Sequence, residues 1–288
     1  MFNRYFILFF IFFIKVHAYQ GCVQSKNNVV LTSPDYDLGN PKILKLNDAL
    51  AEISGIYFYA KDSSVFGISD ESGNLYKIHL NKPYNVIKWK FSKSHDYEDL
   101  VMLDDKFYIL TSNGDITTLK FSARGDTIYR QKDKGPAGKN EFESLYYDPQ
   151  TKNLVLICKD CPDDKKSSVS SFNYDPELNK ISPSNFKIET KKIAEQLGDK
   201  KIKFKPSAAA INPITGDLWI LSAVNQILVT ASRDGIVKNV YTLNPTLYTQ
   251  PEGITFTPWG DLLISNEAGD KYNQGTIFIL KLKKKSNA

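Results

Sequence analysis

The chain has 288 residues, 42% of them hydrophobic, and a net charge of +5 at pH 7. This apolar content suffices for a large core, and the 16 Tyr and 17 Phe favour β structure. Loss of residues 1–21 would remove Arg4 and Lys15 and no acidic residue, leaving a charge of +3. So weak and evenly spread a charge argues against a nucleic-acid-binding protein.

Residues 1–21 have the features of a signal peptide. Arg4 precedes ten apolar residues at 5–14, which is the length of a signal-peptide core and too short to span a bilayer. Two cleavage sites compete. The tripeptide 16–18 (VHA) fits ordinary signal peptidase, and 20–22 (QGC) fits a loose bacterial lipobox.

The second site predicts lipidation of Cys22. An otherwise unpaired cysteine at the mature N-terminus would accept lipid, and two or more acyl chains anchor a domain stably. We therefore favour a membrane-anchored lipoprotein of the cell envelope, facing the periplasm or the cell surface. The alternative is secretion to the periplasm with Cys22 as a free thiol. Residues 22–40 are polar and turn-rich, and are predicted to form a tether.

The other two cysteines, Cys158 and Cys161, form a C-x-x-C motif. Outside the cytosol this spacing favours a local disulfide. A zinc site would need four ligands, and the three His residues are scattered; a redox motif would need a helix behind it, where the sequence indicates a loop.

One pattern recurs along the rest of the chain. A strand opens with a polar residue, apolar residues alternate, a turn follows, and a second apolar run ends in polar residues. It is clearest in the segment 250–267, QPEGITFTPWGDLLISNE. The five units begin at Glu52, Glu98, Glu143, Ser207 and Glu252, with spacings of 46, 45, 64 and 45 residues. This is the period of a propeller blade.

We therefore predict one all-β domain over residues 41–282. It is a five-bladed β-propeller of four-stranded antiparallel blades, with six blades as the alternative. The fifth unit lacks a fourth strand, which the strand at 41–47 would supply, so that the ring closes without an open edge. A short helix at 191–200 explains the long spacing. Residues 283–288 are a basic, solvated tail.

This fold predicts where the polar residues of the repeat meet. The first strand of a blade lines the channel and the second runs antiparallel to it, so the start of one and the end of the other share a mouth. The inner ring of this mouth consists of Glu52, Glu98, Glu143, Ser207 and Glu252. The outer ring consists of Asp70, Glu71, Asn113, Asp160, Asn225, Asn266 and Glu267.

Converging carboxylates must share protons, bind a cation or be neutralised by basic groups. An all-oxygen cluster suits a hard divalent cation, with Ca²⁺ favoured and Mg²⁺ or Mn²⁺ left open. The predicted metal ligands are Glu52, Glu71, Glu98, Glu143, Glu252 and Glu267. The predicted ligand-binding residues are Asp70, Asn113, Lys159, Lys205, Ser207, Asn225 and Asn266. The alternative is a Glu–Lys network, with Lys159 and Lys205, that only fixes the strands.

The ordered motifs EISGI, DYEDL, EFESLYYDP, LICKDC, KPSAAAINP and QPEGITF resemble the SdiA-regulated family of bacterial envelope β-propellers. The resemblance covers residues 44–282. It implies five blades, an envelope location and a link to calcium, since the family includes a calcium-regulated member. Some relatives have been likened to propeller phytases and to esterase-like lactonases. Ser207 departs from the pattern, because the other units carry Glu.

Two functions follow from these expectations. The first is a monomeric calcium-linked protein that binds or senses a small or anionic ligand. The second is a metal-dependent hydrolase of a phosphoester or lactone at the same mouth, in which Lys159 or Lys205 would hold an anionic group. A nucleophilic triad is not supported, because the sequence has no G-x-S-x-G.

Lipidation makes a direct prediction. Cys22→Ser should move the protein from the membrane fraction to the soluble fraction, because the acyl acceptor is lost. Cell fractionation followed by immunoblotting measures this. Unchanged membrane association of the variant would contradict a lipid anchor at Cys22.

Overall fold

Each sequence unit folds into one antiparallel sheet. The structure is a computed structural model that describes residues 32–122, 125, 128–162, 164, 168–269 and 272–283. Within these residues, twenty strands form five four-stranded sheets, the blades of a β-propeller. The prediction of five blades is confirmed, and the six-bladed alternative is wrong.

The strands follow one another through the blades in chain order. The first strand of the chain is β1 (Lys42–Lys45). Blade 1 contains β2 (Ile53–Tyr59), β3 (Ser64–Ser69), β4 (Ser72–His79) and β5 (Val86–Lys90). Blade 2 contains β6 (Tyr97–Leu103), β7 (Lys106–Thr111), β8 (Ile116–Phe121) and β9 (Ile128–Asp133). Blade 3 contains β10 (Glu141–Asp148), β11 (Asn153–Asp160), β12 (Ser168–Asp175) and β13 (Lys180–Glu189). Blade 4 contains β14 (Ala208–Ile211), β15 (Leu218–Ser222), β16 (Ile227–Ala231) and β17 (Val237–Thr242).

Blade 5 joins the two ends of the chain. It contains β18 (Pro251–Phe256), β19 (Leu262–Asn266) and β20 (Thr276–Leu280), and β1 adds to β20 as its fourth strand. The pairing is antiparallel, from Lys42 opposite Ile279 to Lys45 opposite Thr276. The predicted closure by an N-terminal strand is therefore confirmed.

The segment before β1 also packs against the blades. Tyr36 is 1% exposed, and its hydroxyl donates a 2.6 Å hydrogen bond to the carbonyl of Gly260. Its ring meets Trp219 edge-on, with 5.3 Å between centroids. Tyr248 donates a 2.9 Å bond to the carbonyl of Leu38. The described end of the segment predicted as a tether thus belongs to the packed domain.

The predicted helical insert forms α1 (Lys191–Leu197), which ends at Gly198 in the left-handed conformation. Ile193 is its buried residue. Gln196 exchanges two hydrogen bonds with the backbone of β17, at Lys238 and Val240. The helix therefore covers part of the outer edge of blade 4 and satisfies polar groups that an edge strand would expose. A short 3₁₀ turn, η1 (Asp48–Leu50), links β1 to blade 1.

Burial falls from the inner strands of a blade to its outer strand. Each of β3, β15 and β19 is buried along its whole length, because neighbouring blades cover both faces. Their sequences are accordingly near-continuous apolar runs. In the outer strand β9 four of the six residues are charged or polar, and the strand is largely exposed. The apolar core thus lies between adjacent blades, around the channel.

Closure makes the first structural prediction. Deletion of Pro41–Asn47 removes the partner of β20 and the buried side chains of Leu44 and Leu46. We expect loss of cooperative thermal unfolding or aggregation, because an edge strand becomes unpaired. The control is Lys45→Ala, an exposed change in the same strand that should shift stability by about 0.5 kcal/mol or less. A deletion variant that melts like the parent would contradict closure by β1.

Candidate functional site

The mouth of the channel is built on β-bulges at the start of the inner strands. In β6 the ladder skips Glu98, because Tyr97 and Asp99 pair with consecutive residues of β7. The same irregularity lies at Glu143 in β10 and at Glu252 in β18. A bulge interrupts the alternation of side chains and re-aims one of them. Three of the predicted inner-ring glutamates are therefore presented by the same backbone feature.

Blade 1 departs from this plan. Its bulge lies at Ser54 and Gly55, after Ile53, so that Ser54 rather than Glu52 is the counterpart of Glu98 by register. The Ser54 hydroxyl donates a 2.5 Å bond to the carbonyl of Glu98 and joins the two inner strands. Glu52 precedes β2 and still lies at the mouth, but it approaches from outside the ring of bulges.

The tightest group of carboxylates consists of Glu52, Asp70 and Glu267. One oxygen from each lies within 4.8 Å of the others. Backbone hydrogen bonds bring them together: the Asp70 amide donates to the carbonyl of Glu52 at 3.2 Å, and the Ala268 amide donates to the carbonyl of Ala51 at 2.8 Å. The acidic triad therefore spans the junction between blade 1 and blade 5.

The triad is crowded with negative charge. Burial raises the pKa of Glu267 to about 8, and the charges of Glu252, Asp70 and Glu52 raise it too. Burial likewise raises the pKa of Asp70 to about 6, with Glu52 among the charges that add to the shift. Gln250 donates a 2.7 Å bond to Glu267. Neutral protein donors thus only partly balance these carboxylates.

Two bulge glutamates extend the acidic surface. Burial raises the pKa of Glu98 to about 8; the charges of Asp96 and Glu252 add to the shift, and Lys159 opposes it. Burial raises the pKa of Glu252 to about 7, again against the effect of Lys159. At neutral pH Glu252 therefore lies close to half-protonation, and Glu98 is mostly protonated.

Lys159 neutralises the blade 3 side of the mouth. Its ammonium group lies 3.0 Å from a Glu141 carboxylate oxygen and also bonds directly to Glu143. Lys205 lies 3.0 Å from Asp160 in a second ion pair. The Glu–Lys network considered above is therefore present on this side, where it includes Glu143.

A disulfide encloses this lysine. Cys158 and Cys161 are bonded, with Cα atoms 5.8 Å apart, and Lys159 and Asp160 lie between them. The four-residue loop places both side chains at the mouth, each beside its ion-pair partner. The C-x-x-C motif therefore fixes the chain that carries the basic side of the ring.

Several other predicted residues support the backbone of the mouth. Ser207 is 3% exposed and donates a 3.0 Å bond to the carbonyl of Pro251. Asn225 accepts a 3.1 Å bond from the amide of Lys205. Asn113 accepts a 3.1 Å bond from the amide of Asp115 within a turn. These three side chains hold turns and adjacent blades together, whereas the predicted ligand Glu71 is exposed.

The donor set next to the triad fits a hard cation. Oδ1 of Asp70 is buried and has no hydrogen-bond partner among the described residues. The side-chain oxygen and nitrogen of Asn266, which is 1% exposed and adjacent to Glu267, also lack partners there. Buried polar atoms without partners are rare and call for a bound ion or water. Oxygen ligands of this kind suit Ca²⁺ better than a soft metal.

The sequence pattern did not identify two acidic residues that lie at the mouth. Asp96 lies two residues before Glu98 and raises its pKa, and Glu141 lies two residues before Glu143 and pairs with Lys159. The sequence contained a sign of both residues, because Glu52 likewise lies two positions before Ser54. Each of these three inner strands thus has an acidic residue two positions before its bulge.

The predicted signal peptide at 1–21 and the predicted lipidation site at Cys22 lie outside the described residues. Within the described part of the chain, no helix is both long and apolar enough to span a membrane.

The blades and the mouth define the class of protein: a five-bladed β-propeller with an acidic entrance to its channel. The chain belongs to the SdiA-regulated family, whose family model matches residues 30–272. No curated protein matches the chain in sequence.

Solved structures share the propeller architecture at low sequence identity. A glutaminyl cyclase from Myxococcus xanthus is similar with a TM-score of 0.57 and 13% identity, covering 84% of this chain and 94% of that one. The PQQ-bound aldose sugar dehydrogenase from Streptomyces coelicolor has a TM-score of 0.53 and 8% identity, covering 85% of this chain and 99% of that one. At these identities the likeness shows the fold alone.

The raised pKa values predict how stability depends on pH. Glu98, Glu252 and Glu267 bind protons more tightly in the folded chain, where their pKa values are about 7 to 8, than in the unfolded chain, at about 4.3. Their stabilisation is full below the unfolded value and is lost as the pH rises through the folded values. Thermal melts in chelator should therefore show Tm falling between about pH 5 and about pH 8.5.

The double variant Glu98→Gln, Glu252→Gln is the control for this pH dependence. It removes two of the titrating carboxyls, so its Tm should fall less over the same range. A parent Tm that is constant or rises over this range, or a double variant with the parent slope, would contradict the assignment.

Proposed function

We propose that the protein binds a divalent cation, Ca²⁺ foremost, at the acidic triad of Glu52, Asp70 and Glu267. The observation that carries the proposal is the approach of three carboxylates within 4.8 Å, beside a buried Asp70 oxygen that has no partner among the described residues. Like charges at this distance cannot all ionise without a counter-charge. A cation would supply that charge, and the ionised fraction of Glu252 would add to the negative potential that attracts it.

Cation binding at this place would act on the ring as a whole. Glu52 and Asp70 belong to blade 1, and Glu267 follows β19 of blade 5. A shared ion would therefore cross-link the two blades at which the chain closes. Binding only to the folded state stabilises it by about 2.7 kcal/mol at a hundredfold excess of ligand over its Kd. This coupling suits a binding or sensing role, in which the presence of the ion is reported by the rigidity of the mouth.

The proposed place of action is the cell envelope. Support comes from the signal-peptide features of residues 1–21, the lipobox-like sequence before Cys22 and the disulfide between Cys158 and Cys161. Disulfides persist in oxidising compartments outside the cytosol. Millimolar concentrations of Ca²⁺ would allow even a weak extracellular-type site to be filled there.

A second candidate function is hydrolysis of a phosphoester or lactone at the same mouth. It is favoured by Glu252, whose pKa of about 7 suits a general base near neutral pH. The bound cation would act as a Lewis acid that lowers the pKa of water. Lys159, on the opposite side, would bind an anionic substrate by exchanging one of its two carboxylate partners. A screen with phosphate esters, phytate and lactones tests this function, and turnover that requires both Glu252 and Ca²⁺ would support it.

The experiment for the cation site combines calorimetry with thermal melts of the mature protein. Glu267→Gln keeps the shape of the side chain and removes one triad charge. It should weaken Ca²⁺ binding by about tenfold or more, because ligand charge sets affinity. In chelator it should be as stable as the parent or more stable, because repulsion is relieved.

Two matched variants show whether a change in Ca²⁺ binding or in stability is specific to the acidic triad. Glu177→Gln removes an exposed charge in the turn after β12, far from the mouth, and should leave Ca²⁺ binding unchanged. Glu143→Gln breaks the Lys159 pair and should destabilise the protein in both buffers, because a partly buried lysine loses a partner. A parent that does not respond to Ca²⁺, or a Glu267→Gln variant with parent affinity, would overturn the cation site.

A further inference from the structure

The channel opens into a second cavity at the end away from the acidic mouth. This cavity has a volume of about 750 Å³ and is lined by the far ends of all five inner strands and the turns that follow them. The volume lies within the range of about 300–1,000 Å³ that is usual for small-molecule sites. In β6 the lining begins at Asp99, one residue after Glu98, and reaches Met102, which lies four residues or about 13 Å of extended chain from that glutamate.

The wall of the cavity is mainly aromatic and aliphatic. Each inner strand contributes at least one apolar side chain, and five of those that line the cavity are only partly buried: Tyr57, Met102, Tyr147, Ile211 and Phe256. Each of them packs on an apolar core between blades. Because each is only partly buried, it leaves part of its apolar surface to the cavity. Aromatic rings in this arrangement favour stacking or edge contacts with another ring.

The rim continues the apolar surface outward. Trp259 is 52% exposed and Ile214 is 56% exposed, although both are large hydrophobic residues. Trp259 packs edge-on against Phe58, one of the lining residues, with 5.6 Å between ring centroids. Gly260 holds the turn close to Ile214: its φ is +94°, and a Cβ there would lie 2.7 Å from that side chain. The exposed tryptophan is thus held at the cavity entrance.

Four of the five charged groups of the lining have partners, and the fifth, Asp104, is an exposed residue of the turn after β6. Arg233 pairs with Asp148 at 3.0 Å. Lys61 pairs with Asp105 at 3.2 Å. Both oxygens of Asp99 accept backbone hydrogen bonds of 2.8 Å. A charged ligand would therefore find little unbalanced charge inside, whereas an apolar ligand would be released from water by aromatic walls.

We propose that this cavity binds an uncharged, flat and largely apolar small molecule, such as one built on fused or linked rings. The site is separate from the cation site and does not depend on it. Its recognition comes from the half-buried rings of Tyr57, Tyr147 and Phe256, and its entrance is marked by Trp259.

The test uses N-phenyl-1-naphthylamine, an uncharged two-ring probe whose fluorescence rises when it leaves water. The mature protein is titrated in chelator, so that the cation site has no part in the result. We expect saturable binding with one probe per chain. Ala210→Trp places a bulky ring on the partly buried cavity wall and should weaken binding by about tenfold or more, as should Phe256→Ser, which removes an apolar contact.

The control is Tyr129→Ala, which removes a 63% exposed ring on the outer strand of blade 2 and should keep the parent affinity. Each variant is first checked by its thermal melt; if Ala210→Trp does not melt cooperatively, Phe256→Ser decides. Absence of saturable binding by the parent would overturn the proposal. So would parent affinity in the cavity variants, or equal loss in Tyr129→Ala, because the probe would then bind elsewhere on the surface.

Discussion

The pairing of β1 with β20 is the interaction on which the rest of the structure depends. It turns a row of blades into a ring, and the junction it creates is close-packed. The Leu46 amide bonds to the carbonyl of Gly275 at 2.9 Å, and a Cβ on that glycine would lie 1.9 Å from the carbonyl of Leu50. Only in the closed ring do Glu52 and Glu267, from opposite ends of the domain, reach the same space.

Closure also distributes charge unevenly around the mouth. On the blade 3 side, Lys159 is bonded to Glu141 and Glu143. At the junction, the charges that shift the pKa of Asp70 most are the carboxyls of Glu52, Glu71 and Asp96, all of which raise it. Lysine pairing therefore balances one sector of the ring, whereas the carboxylates of the junction sector have no lysine bonded to them among the described residues. Breaking a lysine pair and removing a junction carboxylate should for this reason have opposite effects on the metal-free protein.

The repeat was sufficient to predict the number of blades, the closing strand and the inserted helix, because a period of about 45 residues and alternating apolar residues are local features. The acidic mouth followed from the same period. The repeat did not predict that Glu52 lies before the bulge of its strand, because a β-bulge shifts the register without changing the repeat. The repeat predicted that Lys159 could pair with glutamates, but the choice of Glu141 and Glu143 depends on how the disulfide loop lies in three dimensions. The packing of Tyr36 was missed because a polar, turn-rich segment around it suggested a tether.

The far cavity was not predicted from the repeat, although the same inner strands form both ends of the channel. By strand register, five equivalent positions open the inner strands: Ser54, Glu98, Glu143, Ser207 and Glu252. Four residues later in each strand stand Phe58, Met102, Tyr147, Ile211 and Phe256, all of which line the cavity. Four residues of extended chain span about 13 Å, so over this distance each inner strand changes from a polar residue at the mouth to an apolar residue at the cavity. The inner strands therefore make a channel that is amphipathic along its axis, with a charged end suited to an ion and an apolar end suited to a flat organic molecule.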